Sequence, residues 1–322
     1  MQAIQVERTG GPEVLRLAEL PDRVPGPGEV AVAVAASGVN YIDTYHRSGL
    51  YPVPLPFVPG AEGAGTVASV GPGVDGLQVG STVAWADVPG SYASTVIAPA
   101  ERLVPVPEGI GTTTAAAVML QGLTAHYLVR DTFRLGAGHR CLVQAAAGGV
   151  GLLLVQLAKR AGAEVFATVG SAAKAELATA AGADHIVLYR EEDLVGSVER
   201  VAGRRPLDVV YDGVGGATFD AGLALLRPRG LMVTFGNASG PVDPVSPLAL
   251  MRAGSLYLTR PTLADHVSTA AELQERAAEL FGWVRDGLSV RVGESLPLAQ
   301  AALAHELLEG RATTGKVLLV SR

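Results

Sequence analysis

The sequence predicts an α/β protein in which a doubly wound, parallel six-stranded sheet is joined to a mostly β unit, and three observations carry this reading. From about residue 140, six β-type runs alternate with helical stretches. The first of these runs feeds a glycine-rich turn and then a helix. Before about residue 122 the chain is instead broken by Gly or Pro every few positions. At 322 residues, two domains are expected, each long enough to bury its own core.

In the first stretch, residues 30–35, 65–70 and 82–85 read as short strands between turns. Pro52, Pro54, Pro56 and Pro59 have no N–H to give a central ladder, so 51–60 is a loop. The later strands are 141–145, 164–169, 185–189, 207–211, 231–235 and 255–259. Helical stretches at 152–161, 172–181, 191–202 and 218–226 separate the first five. Such alternation predicts parallel strands with helices on both faces. Six strands are the full complement of the dinucleotide-binding doubly wound fold. A charged helix over 269–286 and a strand over 316–320 follow, the strand returning to the first domain. The expected divisions are 1–124, 125–262 and 263–322.

Composition narrows the function. Hydrophobic residues make up 48% of the chain and charged ones 17%, which excludes a disordered polyelectrolyte. Lys and Arg total 25 against 31 Asp and Glu, and no basic run exceeds two residues. A nucleic-acid groove or a polybasic membrane patch is therefore not expected. Cys141 is the single cysteine, so there is no internal disulfide and no Cys-rich zinc site, in keeping with a reducing compartment. The uncharged stretches 109–129 and 142–158 are interrupted by threonines or by Gly148, Gly149 and Gly151, and read as soluble elements. Residues 1–8 lack a signal-peptide core, and a soluble cytoplasmic protein is expected.

The strand at 141–145 runs into Ala146-Ala147-Gly148-Gly149-Val150-Gly151, a G-x-G-x-x-G turn with alanine in its first place. Small residues there let the backbone approach a pyrophosphate, whose charge is favoured at the following helix N-terminus. An NAD site places a carboxylate at the end of the second strand to hold the ribose hydroxyls. Here that strand ends Thr168-Val169-Gly170-Ser171, with Lys174 one turn on. A hydroxyl and an ammonium without a carboxylate suit a 2′-phosphate, so NADPH is the expected cofactor.

Several segments resemble the NADPH:quinone oxidoreductases, the zeta-crystallin branch of the medium-chain dehydrogenase/reductase superfamily. They are Gly11-Pro12-Glu13-Val14-Leu15, Asn40-Tyr41-Ile42-Asp43-Thr44-Tyr45, Arg47-Ser48-Gly49-Leu50-Tyr51-Pro52, the 145–151 turn, Phe235-Gly236-Asn237 and Arg311-Ala312-Thr313. The likeness runs over essentially the whole chain. It implies a GroES-like catalytic domain made from both chain ends, a Rossmann domain between them, and a homodimer or homotetramer.

Carried over position by position, the resemblance puts the nicotinamide half against Asn40, Tyr41, Ile42, Thr44, Tyr45, Thr124, Tyr127, Phe235, Gly236 and Asn237. It puts the pyrophosphate at Gly148, Gly149 and Val150. The 2′-phosphate falls at Gly170, Ser171, Lys174 and Tyr189, and Arg311 approaches the cofactor. Asn40, Asp43, Tyr45 and Tyr51 are the polar groups expected near nicotinamide C4, which would face an open, flat pocket.

In the zinc alcohol dehydrogenases the position of Asn40 is a metal-binding Cys and that of Ala61 a metal-binding His, so no metal is expected. The six histidines are scattered and are expected in surface or capping roles. A quinone suits a zinc-free site, because its reduction product is aromatic and delocalises the charge that zinc would otherwise stabilise. Reduction of quinones by NADPH is the leading expectation. An enone or alkenal double-bond reductase and a non-catalytic NADPH-binding structural protein are the alternatives.

Overall fold

Gly and Pro punctuate the first hundred residues so closely that only short strands fit between most of them. The structure, a computed structural model describing residues 1–321, shows that pattern. The chain opens with β1 (Gln2–Gln5), β2 (Arg16–Glu19), β3 (Glu29–Val39), α1 (Tyr41–Ser48), β4 (Glu62–Val70), β5 (Thr82–Ala86), β6 (Thr95–Pro99) and β7 (Val104–Pro105). Residues 51–60 form a loop that carries an isolated bridge between Val6 and Phe57. The apolar 112–127 stretch is the helix α2 (Thr112–Tyr127).

The alternating region follows as β8 (Arg140–Val143), α3 (Gly149–Arg160), β9 (Glu164–Val169), α4 (Ala172–Ala180), β10 (His185–Leu188), α5 (Leu194–Ala202) and β11 (Leu207–Asp212). It continues as α6 (Phe219–Leu225), β12 (Leu226–Thr234), α7 (Pro247–Arg252), β13 (Tyr257–Thr259) and α8 (Leu263–His266). The last elements are α9 (Ala270–Arg285), β14 (Val292–Pro297), α10 (Ala301–Glu309) and β15 (Lys316–Val320).

The chain forms two compact units, one from Met1–Leu123 with His266 onward and the other from Thr124–Asp265. In the second unit the described residues make a six-stranded parallel sheet in the order β10-β9-β8-β11-β12-β13. That is the 3-2-1-4-5-6 order of a doubly wound dinucleotide fold. Its central strands are buried on both faces, and all six residues of β11 are inside. Leu142, Phe166, Val187, Val198, Val210 and Met232 belong to the core that the sheet shares with its helices. In the first unit, β14-β15-β3-β4-β5-β7 form one sheet, with β6 also paired to β3. Trp85 and a run of valines from β3, β4, β5 and β6 fill its interior.

Local pattern misjudged several boundaries for reasons the pairing explains. β3 runs four residues past the predicted end, because Ala36 to Val39 pair with Val317 to Val320 at the far end of the chain. β12 starts at Leu226, five residues early, where Leu226 opposes Leu207. α1 is a helix of only eight residues, too short to announce itself by periodicity; its start is set by extended Asn40 and its end by Gly49 in the left-handed region at φ 84°. Among the described residues, no helix is long and apolar enough to cross a membrane.

Candidate active site

In the second unit, β8 ends where the chain turns sharply. Ala145 adopts φ 52°, a left-handed conformation that a non-glycine residue holds only under constraint. The constraint is a set of hydrogen bonds: Gln144 N–H donates to Tyr211 O (3.0 Å), Ala145 N–H to Thr168 Oγ1 (3.2 Å) and Ala146 N–H to Thr168 O (3.0 Å). Gly148, with extended dihedrals, then precedes α3, whose first turn carries no acidic side chain. Gly151 packs so closely on the turn that a Cβ there would lie 2.4 Å from Ala145 O. The N-terminal amides of α3 are thus held against the strand end by backbone alone, as an anionic pyrophosphate requires. One buried side-chain donor, Gln144 Nε2, has no hydrogen-bond partner at this turn.

The end of β9 has the polarity the sequence predicted. Ser171 caps α4 by accepting the Lys174 N–H, and a Cβ on Gly170 would lie 2.8 Å from the Tyr189 hydroxyl. Gly170, Ser171, Lys174 and Tyr189 therefore form one cluster. Phe235, Gly236 and Asn237 follow β12, and their backbone is held from two sides. A Cβ on Gly236 would lie 2.3 Å from Gly213 O, and Arg260 Nη1 donates to Thr234 O (3.1 Å) and Gly236 O (2.9 Å). Asp212, buried at the end of β11, accepts from Val214 N–H, Gly215 N–H and the Thr218 hydroxyl. Tyr127 is buried near the Arg260 charge and Thr124 is buried one turn before it.

In the first unit, α1 carries the other predicted residues. Tyr45 is buried, and its ring meets that of Tyr51 edge-on at 5.2 Å and that of Tyr41 at 6.2 Å. The Tyr41 hydroxyl donates to Leu308 O (2.9 Å), while the Thr44 hydroxyl turns back to Tyr41 O. Ile42 is partly exposed, and Arg311 stands exposed with φ 54° just after α10.

Below α1 lies a buried polar network that the sequence did not announce. Lys316 Nζ donates to Asn40 Oδ1 (2.8 Å) and to Glu62 Oε2, and Asn40 Nδ2 donates to the same Glu62 oxygen (2.9 Å). Asn40 Nδ2 also reaches Gly38 O, and Gln121 Nε2 reaches Asn40 Oδ1. Opposite charges at its two ends fix which way this amide points, and both its donors and both its lone pairs are used. Glu62 Oε1 accepts the Leu120 N–H (2.7 Å). Gly38 leaves room for the ion pair, since a Cβ there would lie 2.2 Å from Glu62 Oε2.

Asp43 Oδ2 accepts the Asn40 N–H (2.8 Å) and the Tyr92 hydroxyl (2.9 Å). Beyond Tyr92 come His305 Nε2 at 3.1 Å, then Arg47 Nη1 at 3.2 Å from His305 Nδ1, and finally Glu309, which Arg47 grips with two bonds. Burial, outweighing the hydrogen bonds from Asn40 and Tyr92, raises the Asp43 pKa to about 7. Burial, aided by the Arg47 charge, lowers that of His305 to about 3. His305 and His126 are buried, which corrects the surface or capping roles expected of them.

Whole-chain comparison agrees with this architecture. Residues 26–108 match the alcohol dehydrogenase GroES-like domain, and residues 149–282 match a model described as zinc-binding dehydrogenase. A quinone oxidoreductase of Pseudomonas aeruginosa is 46% identical over 98% of this chain and 98% of its own length. The chain belongs to the quinone oxidoreductase family of medium-chain dehydrogenases/reductases. The crystal structure of the Escherichia coli quinone oxidoreductase complexed with NADPH superposes with a TM-score of 0.97, at 44% identity over 99% of this chain and 100% of that one. A 2-haloacrylate reductase of a Burkholderia species, at 38% identity over 99% of each chain, belongs to the same set of relatives.

In this quinone oxidoreductase family member the sequence singled out the turn, the Ser171–Lys174 helix start and the α1 tyrosines as candidates. Gln144, Asp212, Arg260, Glu62 and Lys316 were not. Their signal is a polar residue at the end of an apolar strand run, as in Val209-Val210-Tyr211-Asp212, or within one, as at Lys316 ahead of Val317 to Val320.

Asp43 and His305 impose opposite pH slopes on stability. The Asp43 pKa is raised, so its contribution is complete below pH 3.8 and is lost as pH rises towards 7. The His305 pKa is lowered, so its contribution is complete above pH 6.5 and is lost as pH falls towards 3. Each shift spans about three pH units, or about 4 kcal/mol. In urea unfolding between pH 4 and 7, Asp43→Asn will gain stability with rising pH relative to the parent, and His305→Gln will lose it. Parallel curves for all three proteins would contradict these assignments.

Proposed function

We propose that this protein reduces quinones with NADPH and without zinc. The observation that carries the reading is the full-length likeness to quinone oxidoreductases. The cofactor turn and the 2′-phosphate cluster support it independently. NADPH, when bound, supplies the hydride. For the pyrophosphate we propose the amides of Gly149 and Val150, with Gly148 allowing close approach; the tight fit of Gly151 keeps α3 at that distance. Ser171, Lys174 and Tyr189 would hold the 2′-phosphate, and the absence of a carboxylate at the end of β9 removes a repulsion. In the second unit, Phe235, Gly236, Asn237, Tyr127 and Thr124 are the residues we propose for the nicotinamide. In the first unit, Tyr41, Ile42, Thr44, Tyr45 and Tyr51, with Arg311, are those we propose for the cofactor and acceptor. In this reading Tyr45 and Tyr51 give a planar acceptor an apolar edge with hydroxyls beside it. Asn40, its amide wholly committed, supports α1 rather than touching the acceptor.

Zinc does not suit this site. Asn40 and Ala61 supply neither thiolate nor imidazole, and the Lys316 ammonium already lies against Asn40 and Glu62, where a second cation would be repelled. The purified protein will oxidise NADPH with a simple quinone, keep that activity in a strong chelator and contain far less than one zinc per chain. An enone assayed in parallel distinguishes double-bond reduction, the activity favoured by the 2-haloacrylate reductase relative. Faster enone turnover would move the assignment to that chemistry.

Lys174→Ala tests the cofactor reading. Losing a charge-assisted contact will weaken NADPH binding by about 10- to 100-fold and leave NADH binding nearly unchanged. Equal losses for both, measured by fluorescence titration, would remove Lys174 from the phosphate.

A homodimer completes the proposal. β13 is an edge strand of the six-stranded sheet, and Tyr257 on it is 61% exposed, with Leu248 and Met251 of α7 also exposed. An open apolar edge invites a second copy to extend the sheet. Light scattering will give twice the chain mass of 33.0 kDa; a monomer mass would contradict this.

A further inference from the structure

Asp43 Oδ1 is buried without a hydrogen-bond partner, while Oδ2 of the same carboxyl receives two bonds. Arg47 determines what the connected groups can do. A guanidinium has only donors and stays protonated, so His305 Nδ1 must accept from Arg47. The ring is neutral, because burial and the adjacent Arg47 charge disfavour its cation. Its single proton is therefore on Nε2, which donates to the Tyr92 oxygen. The Tyr92 hydroxyl in turn has one proton, and Asp43 Oδ2 receives it. Every bond in the series runs the same way, from Arg47 to Asp43. Both end residues lie on α1 one helical turn apart, so the series closes into a ring through the helix.

We propose that Tyr92 and His305 are positioning residues for α1: Tyr92, whose oxygen accepts from His305, occupies Oδ2 of Asp43 together with the Asn40 N–H, confines any proton on that carboxyl to Oδ1, and so makes the proton on Oδ1 set how α1 presents Tyr41 and Tyr45 to the acceptor. The last clause rests on the reading of α1 as the acceptor-binding helix.

The groups facing Asp43 are Lys316 of β15, which favours its ionised form, and Glu62 of β4, which opposes it. Tyr92, from the β5–β6 connection, donates to it; His305 and Glu309 of α10 and Arg47 of α1 stand behind Tyr92 in the ring. With a proton on Oδ1 the carboxyl is neutral, and Oδ2 still accepts from Asn40 and Tyr92. Without it, the carboxylate shares its charge between the two oxygens, and the share on Oδ1 is buried with no hydrogen-bond donor. The first turn of α1 must then shift to bring a donor or water to that oxygen.

The test uses the full chain and two readouts besides activity. With ¹⁵N-labelled histidine, long-range NMR spectra, assigned by the signal missing in His305→Gln, will show His305 protonated on Nε2 alone from about pH 5 to 9. Infrared difference titration will show a protonated-carboxyl band that fades through neutral pH and is absent from Asp43→Asn. Tyr92→Phe removes the donor to Oδ2 and will move the midpoint of that band upward by about one to two pH units. In steady-state assays with a simple quinone, KM will rise with pH through the same midpoint, and in Tyr92→Phe the KM midpoint will move with the band while the kcat profile stays in place. Should Tyr92→Phe not fold, His305→Gln provides the same comparison.

A proton on His305 Nδ1, a carboxyl band that survives Asp43→Asn, or a KM profile in Tyr92→Phe superimposable on that of the parent would each overturn the proposal. A protein with the expected spectra that reduces no quinone would uphold the ring and overturn the proposed function. A quinone reductase whose KM midpoint ignores Tyr92→Phe would do the reverse.

Discussion

The Lys316 ammonium and the Glu62 carboxylate are 1% and 0% exposed, so neither has water to neutralise its charge and each depends on the other. Removing one partner from such a pair costs about 3–5 kcal/mol, because the survivor is left buried and uncompensated. The arrangement around them follows from that constraint. Glu62 opens β4 and Lys316 opens β15, and both pack against β3, where Gly38 leaves them space. The pair orients the Asn40 amide, and the Asn40 backbone meets Asp43 at the start of α1. From Asp43 the hydrogen bonds pass to Tyr92 and α10. A helix bearing the tyrosines of the candidate site is thus fixed in place by charges that never touch solvent.

The two units differ in how much of them can be read from sequence. In the second unit, parallel strands covered on both faces give continuous apolar runs, and β9 falls on its predicted bounds. Its candidate cofactor site is made largely of backbone, so glycines mark it. In the first unit the decisive contacts join residues far apart in the chain. His305 meets Arg47 across 258 positions, and a solitary histidine gives no local sign of burial. α10, β14 and the end of β3 escaped for the same reason: their apolar faces make sense only once β15 is beside them. Asn40 was legible as a departure from a metal ligand, but its role as the hinge of an ion-pair network was not.

The two units also reach precision by different means. Around Gly148 to Gly151, close backbone contacts leave no room for a Cβ, so position is enforced sterically. Around α1, hydrogen-bond valence does the same work, since Arg47, His305, Tyr92 and Asp43 have donors and acceptors that match in one arrangement. Steric enforcement is indifferent to pH. An arrangement fixed by protons is not, and around α1 it ties position to the protonation of Asp43 and His305.

The first unit is interrupted by the second, and this orders events during synthesis. Glu62 leaves the ribosome 254 residues ahead of Lys316, roughly ten to fifty seconds at ordinary elongation rates. Through that interval β4 has no ammonium to bury against, and β3 lacks the strand that covers its last four residues. The second unit, by contrast, is one continuous segment and has all its strands before the chain is finished. The nascent protein therefore holds a complete six-stranded sheet in its second unit while the first unit is still open along one edge, and closure waits for β15 to arrive.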